Sequence, residues 1–133
     1  MLYVFILAGG FGTRLSSIVN DVPKPMASIN GTPFLDYVIK NIHKSIPKST
    51  IYILTHYKSN VIEQHFFNKP NIKIIREQTP LGTGGAIKNA LHSLGINHND
   101  SALVLNGDTY IACDYQEFIK NSINKINILI RFK

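Results

Sequence analysis

Short apolar runs alternate along the chain with stretches whose apolar residues recur at helical spacing. Tyr3-Val4-Phe5-Ile6-Leu7-Ala8 is β-branched and aromatic in part and ends at Gly9-Gly10, which predicts a buried strand running into a glycine loop. Thr32 and Pro33 predict an N-cap and first turn, after which Phe34, Tyr37, Val38 and Ile42 form one helical stripe to about His43. Ile51 to Thr55 reads as a second buried strand, Ser59 as the cap of a helix carrying Val61, Ile62 and Phe66, and Ile72 to Ile75 as a third strand. Thr83 opens a helix with Ile87, Ala90, Leu91 and Leu94 on one side, and Gly95 stands where a C-terminal glycine cap belongs. Ala102 to Leu105 is the fourth strand. Asp114 with Glu117 three residues on is a capping-box pattern for a short helix holding Phe118 and Ile119, and Ile126 to Ile130 is a fifth strand. This rhythm predicts an α/β fold, a Rossmann-like three-layer α/β/α arrangement with a largely parallel sheet. Ligands of such sheets sit at the carboxyl ends of the strands.

Composition narrows the class. A chain of 133 residues that is 44% hydrophobic describes one globular domain over residues 1–133, large enough to build a core without disulfides or a structural metal. No apolar run approaches the ~20 residues of a membrane span, and Leu2 to Ala8 lacks the basic flank and length of a signal peptide. A cytoplasmic protein with no membrane partner is expected. One cysteine, Cys113, can form no internal disulfide and no Cys-rich zinc site, and reads as a small packing residue. The five histidines show no ligand spacing. Fourteen Lys and Arg against eight Asp and Glu leave a net charge of +6, scattered rather than striped, so nucleic acid is not expected as a partner and a small polyanion is.

Candidate chemistry sits in three loops, each following a strand. The first is Leu7-Ala8-Gly9-Gly10-Phe11-Gly12-Thr13-Arg14-Leu15, with Pro23-Lys24-Pro25-Met26 shortly after. Glycines let backbone N–H groups approach phosphate oxygens, and Arg14 and Lys24 supply charge; Lys24 lies between two prolines that restrict its backbone. A P-loop would need Gly-Lys-Ser/Thr where Gly12-Thr13-Arg14 stands, and a dinucleotide fingerprint would need glycine at Leu15, so neither fits. The second loop is Glu77-Gln78-Thr79-Pro80-Leu81-Gly82-Thr83-Gly84-Gly85-Ala86. The third, Leu105-Asn106-Gly107-Asp108, presents a single carboxylate at a strand end, as a hard-cation ligand would be.

These four ordered strings, LAGGFGTRL, Pro-Lys-Pro-Met, Glu-x-x-Pro-Leu-Gly-Thr-Gly-Gly-Ala and Asn-Gly-Asp, resemble the sugar-1-phosphate nucleotidyltransferases of GT-A-like fold, from Met1 to about Lys120. Pro-Leu-Gly-Thr-Gly-Gly-Ala-Ile-Lys is most similar to the guanylyltransferases for D-glycero-α-D-manno-heptose 1-phosphate and mannose 1-phosphate. Guanine suits Glu77, because a carboxylate accepts from both N1–H and N2–H, whereas uracil or thymine offers N3–H alone.

The resemblance implies that a nucleoside triphosphate, GTP in this subfamily, reacts with a sugar 1-phosphate to give a nucleotide sugar for surface polysaccharide and pyrophosphate. The phosphate nucleophile is already anionic, so no general base is needed and catalysis is positioning and charge neutralisation. By resemblance Leu7, Ala8, Gly9, Gly10 and Asn106 line the nucleotide, and Gly12, Thr13 and Arg14 hold the triphosphate, with Arg14 on the departing pyrophosphate. Lys24 bridges the α-phosphate and the sugar phosphate, Glu77, Gly82 and Thr83 meet base and ribose, and Asp108 ligates Mg²⁺. Family members continue into a sugar-binding half that brings a second metal-binding aspartate, so a C-terminally truncated member is expected. Two further readings share these motifs: a non-catalytic domain that binds a nucleotide or a partner, and an inactive truncated product.

Overall fold

A computed structural model of the chain describes residues 1–10 and 22–122. Its elements in chain order are β1 (Leu2–Ala8), a 3₁₀ turn (Lys24–Met26), β2 (Ser28–Ile29), β3 (Thr32–Pro33), α1 (Phe34–Ser45), β4 (Ile51–Thr55), α2 (Ser59–Phe66), β5 (Ile72–Arg76), α3 (Gly82–Ser93), β6 (Ser101–Asn106) and α4 (Tyr115–Lys120). The expected strand at Ile126 to Ile130 lies outside the described residues.

Four strands form one parallel sheet in the order β5-β4-β1-β6. The chain steps outward from β1 through β4 to β5, then crosses back to place β6 on the other side of β1. Strand order therefore reverses between β1 and β6, and a crevice at their carboxyl ends follows from that topology. Leu54, Leu7 and Asn106 share one rung across β4, β1 and β6.

Side chains alternate across the sheet into two cores. Val4, Ile6 and Ala8 of β1, with Ile51, Ile53 and Leu103, face α1, α2 and α4 through Leu35, Val38, Ile42, Ile62, Phe66 and Tyr115. Phe5 and Leu54 face the other way, onto Ala86 and Ala90 of α3. Burial on both sides is why β1 reads as a continuous apolar run instead of an alternating one. The result is three layers, α/β/α, as the sequence predicts. Among the described residues no helix is long and apolar enough to cross a membrane.

Helix ends correct the sequence reading in three places. Thr32 does not cap α1: Thr32 and Pro33 pair with Ile29 and Ser28 in an antiparallel hairpin, and the first helical N–H, of Phe34, donates to the Ala27 carbonyl at 2.9 Å. Asn30 and Gly31 turn that hairpin with φ of 52° and 80°, the paired positive angles of a type I′ turn, which Asn-Gly favours. Ser59 does not cap α2; its buried hydroxyl lies 2.7 Å from Thr55 Oγ1 and donates to Glu63 at 2.8 Å, and the cap position falls on Lys58. α3 begins at Gly82, one residue before the Thr83 expected to open it, with Leu81 at the cap position. Its far end follows the expectation, since Gly95 N–H reaches His92 O at 3.2 Å and Ile96 N–H reaches Leu91 O at 3.0 Å, the two bonds of a Schellman closure. Asp114 caps α4, with Oδ1 accepting from Gln116 N at 2.9 Å and Glu117 N at 3.2 Å.

Candidate active site

A cleft of about 450 Å³ opens at the carboxyl ends of the strands on the α3 side of the sheet. Its floor is the shared rung: Leu7, Leu54 and Asn106 all line it, with Ala8, Gly9 and Gly10 continuing from β1. Gly82, Thr83 and Ala86 bring in the first turn of α3 as one wall, and small residues keep that wall close to the sheet. Lys24 and Asp108 stand at the opposite side, following β1 and β6 in sequence. Ten residues singled out from the sequence thus meet in one place: Leu7, Ala8, Gly9, Gly10, Lys24, Glu77, Gly82, Thr83, Asn106 and Asp108 all line the cleft. Gly12, Thr13 and Arg14 lie outside the described residues. Pro25, Leu54, Pro80 and Ala86 also line it.

Glu77 is the unusual group. It is 6% exposed, a buried carboxylate at the end of β5. Its backbone extends the sheet, with its N–H donating to Thr55 O at 2.7 Å, and its carbonyl lies 3.1 Å from His56 Nδ1. Oε2 accepts from Leu81 N at 3.2 Å, directly before α3, so the carboxylate does at that helix start what a side-chain cap does elsewhere. That bond takes one of about four lone-pair sites on the carboxylate. Oε1 would lie 3.4 Å from a Cβ built on Gly9, so β1 and Glu77 close on each other across the cleft floor.

Lys24 is set by a rigid turn. Pro23 and Pro25 are buried on either side, Met26 N–H donates to Pro23 O at 2.8 Å, and the Lys24 ammonium reaches Asp108 Oδ2 at 3.0 Å. With side chains 34% and 38% exposed, this ion pair contributes about 0–1 kcal/mol to stability. Its weight lies in bringing a mobile cation and a carboxylate together over the glycine-lined floor.

Asp108 owes its place to Gly107. The Gly107 N–H donates to Leu7 O at 2.9 Å, and a Cβ there would meet the same oxygen at 3.0 Å and Ile6 Cγ2 at 3.2 Å. Thr109 Oγ1 donates to Asp108 Oδ1 at 3.2 Å. Among the described residues no three His, Cys, Asp or Glu side chains gather in a way that could hold a metal ion. One carboxylate beside room for phosphates still fits Mg²⁺, which takes one or two carboxylates plus substrate oxygens instead of an all-protein cage.

Cys113 lies away from the cleft, packed against the larger core, and burial pushes its thiol up from the ordinary value. That is the packing role the sequence suggested. The Asn30-Gly31 hairpin and the Leu81 amide on Glu77 are not among the sequence expectations; Asn-Gly is a visible local signal for the first, and nothing local signals the second.

The nucleotidyl transferase family profile matches residues 3–132. A D-glycero-α-D-manno-heptose 1-phosphate guanylyltransferase of Campylobacter jejuni is 41% identical over 135 residues, covering 99% of this chain and 58% of that protein. A protein of the same description from Aneurinibacillus thermoaerophilus is 38% identical over 122 residues, covering 90% of this chain and 51% of its own. The crystal structure of HddC from Yersinia pseudotuberculosis complexed with GMP-PN superposes with a TM-score of 0.78 at 40% identity, covering 93% of this chain and 55% of that one. The chain spans about half the length of the curated relatives it matches. A parallel sheet reversing at β1 and β6, the glycine, lysine and aspartate loops gathered at its carboxyl edge, and a family match over nearly every residue agree: this chain belongs to the nucleotidyl transferase family.

Proposed function

We propose that this chain carries the nucleotide site of a cytoplasmic sugar-1-phosphate nucleotidyltransferase that takes GTP and a heptose or hexose 1-phosphate to a GDP-sugar and pyrophosphate, for surface polysaccharide. The observation that carries this reading is the cleft itself: a buried carboxylate, a glycine-lined floor and a Lys24–Asp108 pair meet at the β1/β6 reversal.

Glu77, buried and bonded to the Leu81 amide, has further carboxylate lone pairs with which to accept from guanine N1–H and N2–H. The floor from Leu7 to Gly10 and Asn106 takes the nucleoside and its phosphates, and Gly82 and Thr83 contact base and ribose. Lys24 draws the sugar phosphate and the α-phosphate together, so that the anionic oxygen attacks phosphorus in line and pyrophosphate leaves. Asp108 would hold Mg²⁺, which supplies charge neutralisation at the phosphates. Arg14, with Gly12 and Thr13, belongs to this reading as the contact for the departing pyrophosphate. The names of the relatives, and the GMP-PN of the HddC structure, support the choice of guanine.

Pyrophosphate release with each NTP across a panel of sugar 1-phosphates tests it. GTP with a manno-heptose 1-phosphate is expected to react fastest, and Glu77→Gln to narrow the preference for GTP by about 10- to 100-fold, the worth of one bidentate base contact. A second reading, a non-catalytic nucleotide-binding domain, shares the same cleft. Tight GTP binding with no pyrophosphate released from any sugar phosphate would select it.

A further inference from the structure

We infer that His56 is a positioning residue for base recognition: its ring Nδ1–H fixes the Glu77 backbone, and through it the angle at which the Glu77 carboxylate meets the base. The inference rests on the reading of Glu77 as the base contact under the proposed function.

His56 does not line the cleft; it is half-buried, one residue beyond the end of β4. Its Nδ1 lies 3.1 Å from Glu77 O, and because a carbonyl only accepts, the proton of that bond sits on Nδ1. The strand register explains why a side chain is used there. Thr55 pairs with Arg76 on the last rung between β4 and β5, and Glu77 N–H extends the ladder by donating to Thr55 O at 2.7 Å. A longer β4 would go on to donate a backbone amide to Glu77 O, but the chain turns away through Lys58, at φ 49°, into α2. The His56 imidazole supplies that donor from the side. Both residues flank Gly9 of the cleft floor: a Cβ built there would stand 3.7 Å from His56 Cβ and 3.4 Å from Glu77 Oε1. Glu77 is thereby held at three atoms by three segments, its N–H by Thr55, its carbonyl by His56, and Oε2 by Leu81 N at 3.2 Å. The residues that follow, Gln78 to Gly84, are all exposed. With the His56 bond gone, the Glu77–Gln78 peptide borders that exposed stretch and can rotate, and the rotation passes to the Cα that carries the carboxylate.

The test is calorimetric binding of GTP, inosine triphosphate and ATP, each with Mg²⁺, to the full chain. Inosine triphosphate keeps N1–H and lacks the 2-amino group, so the ratio of its dissociation constant to that of GTP reads the second base contact of Glu77. His56→Leu, which keeps a branched side chain and loses the donor, is expected to narrow this ratio about 3- to 10-fold, the worth of one hydrogen bond. Asn places an amide nitrogen where Nδ1 stands, so His56→Asn should hold the ratio within about twofold of wild type. His56→Gln, whose amide reaches one carbon further, should behave as His56→Leu and takes its place if that variant does not fold. Nitrogen NMR of the wild-type ring should show Nδ1 protonated. While Glu77→Gln narrows the ratio, the inference is overturned by an unchanged ratio in His56→Leu or His56→Gln, by an equal loss for all three nucleotides, by a failed rescue in His56→Asn, or by a ring proton on Nε2 alone. If Glu77→Gln itself leaves the ratio unchanged, the base-reading role of Glu77 falls, and the inference with it.

Discussion

Gly107 shows how a residue without a side chain places one that has chemistry. Leu7 O, Ile6 Cγ2 and Pro25 Cβ would lie 3.0, 3.2 and 3.4 Å from any Cβ there, and two of those neighbours are strand backbone and core that cannot yield. Gly107→Ala is expected to cost about 1–3 kcal/mol in urea unfolding, with GTP binding weakened as well because Asp108 moves with the backbone. Tyr115 illustrates a buried titratable group outside the cleft. It is 3% exposed, its hydroxyl donates to Ile111 O at 3.2 Å, and burial pushes its phenol from 10.0 up to about 12. The fold therefore favours the neutral phenol, and its stabilising share is complete below pH 10 and lost as pH rises through about 12. Unfolding measured across that window should fall more steeply for wild type than for Tyr115→Phe; equal slopes would show that Tyr115 does not titrate with folding. Asp108 and Lys24 were legible as motif residues, whereas the burial of Glu77 was not, because it depends on β1 and α3 closing over the end of β5.

At the scale of elements, caps and core stripes divide cleanly. Asp114 was readable as a cap, and the structure gives it two amide partners, so Asp114→Ala is expected to destabilise by about 1 kcal/mol. Thr32 looked like a cap and is not one, so Thr32→Ala should change stability by less than about 0.5 kcal/mol; matched urea curves for the two variants check the contrast. The stripe of α1 was also readable. Ile42 is fully buried between that helix and the sheet, and Ile42→Ala should cost about 2–5 kcal/mol. What misled the reading at Thr32 and Ser59 has one cause. A hydroxyl is a good cap only where it has nothing better to do, and here the Thr32 backbone pairs in a hairpin and the Ser59 hydroxyl bonds to Thr55 and Glu63.

For the whole molecule, the decisive feature is the return of β6 to the far side of β1. It turns three loops separated in sequence into the rim of one cleft, with the base, phosphate and metal chemistry of the proposed reaction on a single sheet edge. A ligand seated there touches β1, β4, β6 and the start of α3, so binding should stabilise the fold as a unit. At 100 times its dissociation constant, GTP with Mg²⁺ is expected to raise unfolding free energy by about 2.7 kcal/mol, and thermal melts with each NTP at one concentration should rank GTP first. Equal shifts for all four would remove the case for Glu77 as the base-reading group.

The sequence by itself determined the α/β class, the order of the four sheet strands and four helices, the two-sided burial of β1 and ten of the residues that line the cleft, because hydrophobic period and glycine-rich motifs are local properties of the chain. Only the tertiary structure decided that strand order reverses between β1 and β6, that Lys24 and Asp108 form an ion pair across 84 positions of sequence, and that Glu77 is buried with its carboxylate on the start of α3. Each of these is a contact between segments distant in sequence, and its geometry exists only once the sheet has brought the segments together.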